Sequence, residues 1–332
     1  MESPSAPPTS QRTLRVGDVT AANGAEMRAL FAEIFGKPMS EALWHWKYRE
    51  GSSQGLGVWD GDKLVAFYGG IGADIVCDGR AARAVQICDV MVLPSVRNHV
   101  RGQSPFFLAT KTFIERYIGY NRIYLLGYGF PNDRHLLLAQ RLGLYGSVGG
   151  MCELTLTPTA RRLGDRLLFI EPLTLDNFDR CAPLLDSLWQ RMQASMPEAI
   201  LVRKQAEWLK RRYLQHPEHQ YCCWLWRHRL TGKPFALAVV KLESHRALVM
   251  DVVATAADFA KAVRLTAIRT AREQSTPIVF WLSAAWQQRF GLDALPAQQL
   301  PISTPTNIWR EGPAPAELQD RWCLTAGDSD FL

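Results

Sequence analysis

No apolar run in this chain of 332 residues approaches the ~18 residues that a membrane-crossing helix needs, which excludes a helical membrane span. There is no CxxC pair among the seven cysteines, Cys77, Cys88, Cys152, Cys181, Cys222, Cys223 and Cys323. Five of them sit among apolar neighbours in strand-like runs. This argues against zinc and disulfides and for reduced, buried thiols in a cytoplasmic protein. Charge runs are missing too: 38 Lys and Arg against 32 Asp and Glu give +6 spread along the chain. That pattern argues against a nucleic-acid partner, while a phosphate-bearing small molecule would suffice as the anion. The opening MESPSAPPTSQRT has no apolar core, so it does not read as a signal peptide, and residues 1–11 are expected to form a disordered tail with nothing to bury. What is present is 47% hydrophobic residues, enough for packed cores. At about 100–200 residues per domain, the length predicts two domains.

LRVGD (14–18) reads as a short strand, and residues 21–36 as a helix with Met27, Leu30, Phe31 and Ile34 at helical spacing, stopped by Gly36 and Pro38. A short helix at 40–48 follows. Residues 55–94 alternate strand runs with Asp-Gly turns at 60–61 and 78–79, which predicts an antiparallel meander. A polar loop (95–104), a helix (105–119), a strand (121–130), a helix (133–142) and a strand (150–157) then predict parallel pairing. The fold class is therefore α/β, an α+β mixed sheet that changes from antiparallel to parallel near its middle. The polar segment 157–166, with Pro158, Gly164 and three arginines, marks a boundary. We divide the chain into domains at 12–158 and 167–332 with a linker at 159–166.

The second domain repeats the plan of the first. A helix ending in Arg/Lys-Tyr precedes three strands in both halves, with Tyr213 matching Tyr48, Asp251 matching Asp89, and Gly291 matching Gly143. The spacings are 165 residues from 48 to 213, 162 from 89 to 251 and 148 from 143 to 291. Three matches in one order predict an internal duplication. Most of the length lost lies between the aspartate and the glycine.

In the first half that interval holds the chemistry. After the strand QICDVMVLP, a loop with Arg97, His99, Val100, Arg101, Gly102 and Gln103 leads to a helix opened by Ser104 and Pro105. A serine N-cap with proline at the first helical position leaves N–H groups pointing out of the helix start, and the arginines complete a phosphate cradle. The bland reading is a capped helix with solvated arginines. The order of elements and this loop resemble the GNAT superfamily of acyl-CoA-dependent N-acyltransferases. Pro94-Ser95-Val96-Arg97 and Gly102 fit the family's pyrophosphate loop, although Val100 stands where its middle glycine is expected. Asn132, eleven residues before Gly143 in GFPNDRHLLLAQRLGLY, fits the family's second signature and by resemblance lies beside the pantetheine arm. The tyrosine that often follows seven residues later is here Ala139, so the acid would be Tyr145, Tyr128, His135 or water.

The resemblance covers 20–157 well and 167–330 weakly, as in tandem GNAT proteins, and the closing WCLTAGDSDFL looks like the C-terminus of such chains. The second half has no arginine-glycine loop and carries Asp258 near the helix start, where a carboxylate would repel a pyrophosphate. It is expected to be degenerate. By resemblance, a backbone N–H of Met91 or Val92 would hold the thioester carbonyl. Asp89, flanked by apolar residues, is the candidate base, or else a structural aspartate, since Asp251 repeats it. Glu153 is a weaker candidate. Trp44, Trp46, Tyr48 and Trp59 would wall an acceptor pocket or belong to the core. His216 to His219 reads as loop, and no metal site is expected.

The resemblance implies acetyl transfer from acetyl-CoA, or another acyl-CoA, to a primary amine of a small molecule or amino sugar. The catalytic candidates are Asp89 and Tyr145, and the cofactor-binding candidates are Met91, Val92, Arg97 to Ser104 without Asn98, and Asn132. Three alternatives stand beside it: a Fem-type aminoacyl or long-acyl transferase, a catalytically inactive GNAT scaffold, and, least favoured, a nucleic-acid binder.

Overall fold

The computed structural model describes residues 14–48, 53–97 and 104–330. In the first half, strand β1 (Leu14–Asp18) is followed by helices α1 (Gly24–Phe35) and α2 (Glu41–Lys47), then β2 (Ser53–Asp60), β3 (Lys63–Cys77) and β4 (Arg80–Val92). Helix α3 (Pro105–Tyr117), β5 (Leu126–Gly129), α4 (Asp133–Arg141) and β6 (Tyr145–Leu156) complete it. Local chemistry sets these ends. Ser40, Ser104 and Asn132 each accept a backbone N–H three residues on, as N-caps do. Gly36 and Gly143 leave α1 and α4 with φ of 69° and 70°, a conformation glycine takes without Cβ strain.

Strands β1 to β4 pair in antiparallel order and β5 pairs with β4 in parallel, so the sheet does change from antiparallel to parallel. The predicted strand 121–130 is shorter than expected. Residues 121–125 turn, with Asn121 at φ 59° and Tyr124 in a single bridge to Ile118, and only Leu126–Gly129 joins the sheet.

The second half runs β7 (Leu168–Pro172), α5 (Phe178–Ala194), β8 (Leu201–Val202) and α6 (Ala206–Leu209), which continues as a π-helical turn (Lys210–Leu214). Then come β9 (Cys222–His228), β10 (Pro234–Leu242), β11 (Ala247–Val253), α7 (Ala256–Thr270), β12 (Ile278–Ser283), α8 (Ala284–Arg289), β13 (Ala297–Asn307) and α9 (Pro315–Leu318). Its sheet has the order β13-β6-β12-β11-β10-β9-β7. Two strands thus lie in the sheet of the opposite half. β6 belongs to the first half in sequence but inserts between β12 and β13, and β8 pairs with β3 at Ile75 and Val76. One continuous apolar core joins residues of both halves, among them Tyr128, Val148, Trp189 and Phe280. A second core under α1 to α3 holds Met27, Trp44, Trp59 and Phe113.

The duplication is visible in the backbone. β4 bulges where Asp89 and Val90 oppose the single residue Tyr68, and β11 bulges at Met250, beside Asp251. Gly291 matches Gly143 with φ of 65°. The C-terminal strap, Thr325 to Asp330, passes from the second half to the first.

Candidate active site

Beyond Ile87 opposite Gly129, β4 and β5 stop pairing while β4 runs on to Val92. A bend is needed to open that gap, and the β4 bulge supplies it: bulged strands bend and twist away from their partners. Asp89 sits at the bulge with φ of 47°, a conformation that Asp tolerates better than most residues. Leu93 N–H donates to Val65 O at 2.9 Å. The N–H of Val92, one residue earlier in extended chain, therefore points the other way, into the gap.

The gap opens into a cavity of about 330 Å³. Its walls include Ile87, Cys88, Asp89 and Val90 from β4, Phe106 from α3, Phe130 and Asn132 after β5, His135, Tyr145, and Asp330 from the C-terminal strap. Tyr145 shares a short hydrogen bond with the buried Tyr68 hydroxyl, and burial raises its phenol above the usual tyrosine range. It stays protonated at neutral pH. Partial desolvation and the Arg134 and Arg97 guanidinium groups push His135 down, so its imidazole is neutral.

Asp89 does not stand alone. Lys47 Nζ lies 2.8 Å from Asp89 and 2.7 Å from Asp330, with its side chain only 4% exposed. Tyr48 Oη donates to Asp89 Oδ2 at 2.7 Å, and Gln86 Nε2 donates to Asp330 Oδ1 at 3.1 Å. Helix α2 delivers both Lys47 and Tyr48, and Gly69 on β3 leaves room for the Tyr48 hydroxyl, because a Cβ there would collide with it. Burial raises the Asp89 carboxyl and Asp330 raises it further, against the pull of Lys47. Cys88 Sγ and one oxygen each from Asp89 and Asp330 lie within 4.8 Å of one another. The Lys47 ammonium already occupies the electrostatic role that a cation would take there.

A second cavity, of about 60 Å³, lies between the halves. Trp46 from α2, Trp208 from α6, Tyr128 and Gln86 line it together with Arg211, Arg212 and the strap residues Gly327 to Asp330. Asp330 is the residue shared by the two cavities.

The second half repeats the cluster and closes it. Tyr213 Oη donates to Asp251, and Lys204 forms ion pairs with Asp251 and with Asp328 of the strap, the latter at 3.1 Å. Thr325 Oγ1 donates to Asp251 Oδ1 at 2.6 Å. Lys204, Asp251 and Asp328 are all buried. Arg212, at the position matching Lys47, donates to the carbonyls of Gly327 and Ser329 at 3.0 and 2.6 Å. The start of α7 is filled by the protein's own groups: Asp258 N–H bonds Thr255 Oγ1, and Ala256 N–H bonds Ser195 Oγ.

Residues 15–103 match the family model of the GNAT acetyltransferase domain. The whole chain is similar to a probable N-acyltransferase from Enterococcus faecalis, with a TM-score of 0.68 at 14% identity over 90% of this chain and 73% of that one. It is also similar to a GCN5-related N-acetyltransferase from Kribbella flavida, with a TM-score of 0.63 at 18% identity over 89% and 70% of the two chains. A tandem GNAT protein from the clavulanic acid biosynthesis pathway aligns over its full length and 91% of this chain, with a TM-score of 0.56 at 12% identity. The chain has the tandem GNAT fold. No curated protein matches the sequence. The matched residues take in β4 and its bulge, and α3 and β5 follow them in the chain.

Of the residues singled out in the sequence, Asp89, Asn132, His135 and Tyr145 meet at the larger cavity. Val92 directs its N–H toward the gap, whereas Met91, one residue before it and buried, alternates toward β3. Arg97 is exposed beside the loop and donates from Nε to Val92 O at 3.1 Å. Ser104 caps α3. His99, Val100, Arg101, Gly102 and Gln103 lie outside the described residues. Glu153 is not in the site: it is on β6 in the other sheet, accepting from Trp281 Nε1 at 2.8 Å and lying 3.6 Å from Arg246. Tyr128 lines the cavity between the halves and not the larger one. Trp44 and Trp59 are core, while Trp46 walls the smaller cavity.

Lys47, Gln86 and Asp330 were missed as site residues. Lys47 and Tyr48 carried a signal, since the Arg/Lys-Tyr pair recurs at 212–213. Asp330 carried none, because its place depends on the path of the chain end across both sheets.

Proposed function

We propose that the protein is an acyl-CoA-dependent N-acyltransferase whose first half binds acetyl-CoA and acetylates a primary amine of a small molecule or amino sugar. The observation that carries this reading is the cavity opened by the bulge and the divergence of β4 and β5, lined by Asp89, Tyr145, Asn132 and Phe106 of α3. The α3 start and the Val92 N–H suit an acyl-CoA: Ser104 and the α3 start, with Arg97, would face the pyrophosphate, and Asn132 the pantetheine arm. The bound acyl-CoA supplies an activated thioester.

The chain's own groups then divide the work. The Val92 N–H would donate to the carbonyl oxygen as negative charge develops there. Asp89, its carboxyl raised by burial, takes a proton from the ammonium group of the acceptor. The N–C bond forms as the C–S bond breaks, the Tyr145 hydroxyl gives its proton to the leaving thiolate, the second amine proton passes to the Tyr145 phenolate, and Asp89 releases the first to solvent. Ala139, on the buried face of α4, has no part in this.

We place the domain division at 159–166, between 12–158 and 167–332, and read the second half as having lost acyl-CoA binding, because Asp258 and Ser195 occupy the α7 start. All seven cysteines are free thiols and six are buried, which supports a reducing, cytoplasmic setting. No helix among the described residues is long and apolar enough to cross a membrane. A second reading, transfer of a longer acyl chain, is favoured by the apolar walls Ile87, Val90, Phe106 and Phe130. Calorimetric titration with CoA, acetyl-CoA and a longer acyl-CoA tests both readings. Binding at one site per chain is expected, and the tightest ligand names the donor. No binding by any of the three would overturn the enzyme reading.

A further inference from the structure

The sheet of the second half ends at β7, an edge strand that pairs only with β9. Two turns meet at its entrance. The short 3-10 turn Leu163–Leu167 leads into β7, and residues 229–233 form the hairpin turn between β9 and β10. Arg229 joins them: its backbone N–H donates to Leu167 O at 2.8 Å and its Nε to Arg166 O at 2.9 Å. We propose that these joined turns dock the protein on an anionic lipid bilayer. The inference concerns the second half and does not rest on the acyltransfer reading.

The apolar part of the surface is three leucines. Leu163, Leu167 and Leu230 are 80%, 55% and 88% exposed, although leucine is ordinarily inside. Single exposed leucines are common, but three on two bonded turns make one patch. At such exposure Leu163 and Leu230 project from the turns with little of their own protein to pack on. Projecting leucines suit insertion at the boundary of headgroups and acyl chains, where their apolar surface leaves water. A groove built for a protein segment would cover its leucines from the sides.

The charge around them selects the lipid. Arg161, Arg162, Arg166, Arg229 and Lys233 lie on or beside the same turns, and all five are exposed. Residues 157–167 and 228–234 hold one acid, Asp165. It is buried, and both of its oxygens accept from Arg264 Nη2, at 2.7 and 2.9 Å. The outward charge is therefore of one sign. Basic side chains at the surface of an anionic leaflet are drawn to it, and their stems can lie along the apolar layer while the charged ends stay at the phosphates.

RNA would answer to the same charge, but sequence-tolerant RNA binding also uses aromatic faces for stacking. Residues 157–167 and 228–234 contain no Phe, Tyr or Trp. The Phe169 ring on β7 is covered by the guanidinium groups of Arg227 and Arg229, 5.5 and 6.0 Å from its centre. An RNA on this patch would leave the leucines without a partner, whereas a bilayer takes both the leucines and the cations.

Co-sedimentation of the full chain with vesicles tests the proposal, using phosphatidylcholine alone and phosphatidylcholine mixed with phosphatidylglycerol, at low and high salt. The wild type is expected to pellet with the mixed vesicles and to stay in solution with the neutral ones. High salt should weaken the binding severalfold, because it screens the charges. Leu163→Ser with Leu230→Ser should lower partitioning about tenfold or more. Arg162→Ser, Arg166→Ser and Lys233→Ser together should lower it about 10²-fold. Leu175→Ser, at an exposed leucine beyond the other end of β7, should bind as the wild type does. All of these side chains are exposed, so urea midpoints should stay close to wild type. A wild type that pellets with neither vesicle, or equally with both, would overturn the proposal, as would a leucine variant that still pellets like the wild type. Two further results would replace it: a single-stranded RNA oligonucleotide bound by wild type and leucine variant alike but not by the basic variant, or leucine-dependent dimers in ultracentrifugation without vesicle binding.

Discussion

The two lysine clusters began from the same plan and now differ in what surrounds them. In each, a tyrosine at the end of a short helix donates to an aspartate on a bulged strand, and a lysine joins that aspartate to a second one from the chain terminus. The first cluster reaches both cavities through Asp89 and Asp330, whereas in the second Asp328 alone borders the smaller cavity and Lys204 and Asp251 are buried behind Thr325 and the strap. Like constellations thus serve different ends according to access: charge beside a cavity can meet a ligand, and charge sealed in the core can only hold structure. This is why a repeated aspartate is weak evidence for catalysis by itself.

The largest effect should come from removing the sealed lysine. Lys204→Met leaves Asp251 and Asp328 buried without their ammonium and is expected to cost about 3–5 kcal/mol of folding stability, read by urea denaturation. Lys47→Met should cost less, because its carboxylates face cavities that water can enter. Equal losses would break the distinction between the clusters.

Next in size, Asp89→Asn is expected to lower kcat by about 10²–10⁴ while acyl-CoA affinity and the unfolding midpoint stay close to wild type. Asp251→Asn should do the reverse, losing stability with little change in activity per folded molecule. Kinetics and denaturation on the same preparations sharpen or break this crossing pattern.

A smaller effect is expected at the helix starts. Arg97→Ala should weaken acyl-CoA binding by about 1 kcal/mol, as an exposed charge does, with calorimetric stoichiometry of one per chain. A stoichiometry of two would show that the second half also binds.

The pH dependence should be the gentlest. Burial raises the folded-state carboxyls of Asp89 and Asp328, so the folded protein binds protons that the unfolded chain has released above about pH 4. Their contribution to stability therefore falls as pH rises from the unfolded value through the folded one. Activity follows the opposite sign, since Asp89 must lose its proton to act. The acid limb of kcat/KM is expected above the ordinary carboxylate range, and a limb at an unperturbed value would break the link to burial.

Much of the first half was legible residue by residue. The Asp-Gly turns, the caps at Ser104 and Asn132, and the helix stop at Gly36 are local devices whose physics spans four or five residues, and the structure follows them. The candidate site was legible where it lies on such devices, at Asp89, Asn132 and Tyr145. The strand at 150–157 was legible as a strand but not as a member of the other half's sheet. Alternating apolar residues specify two buried faces, and they leave open which edges supply the hydrogen bonds.

By itself, then, the sequence determined the elements, their caps, the duplicated order and the aspartate at the same place in each half, because these depend on neighbours close along the chain. Only the tertiary structure decided that β6 and β8 lie in the sheets of the opposite halves, that Lys47 stands between two carboxylates, and that Asp330 reaches the first site. Those outcomes join residues as far apart as Lys47 and Asp330. They follow from the packing of two sheets around one core, which no local pattern encodes.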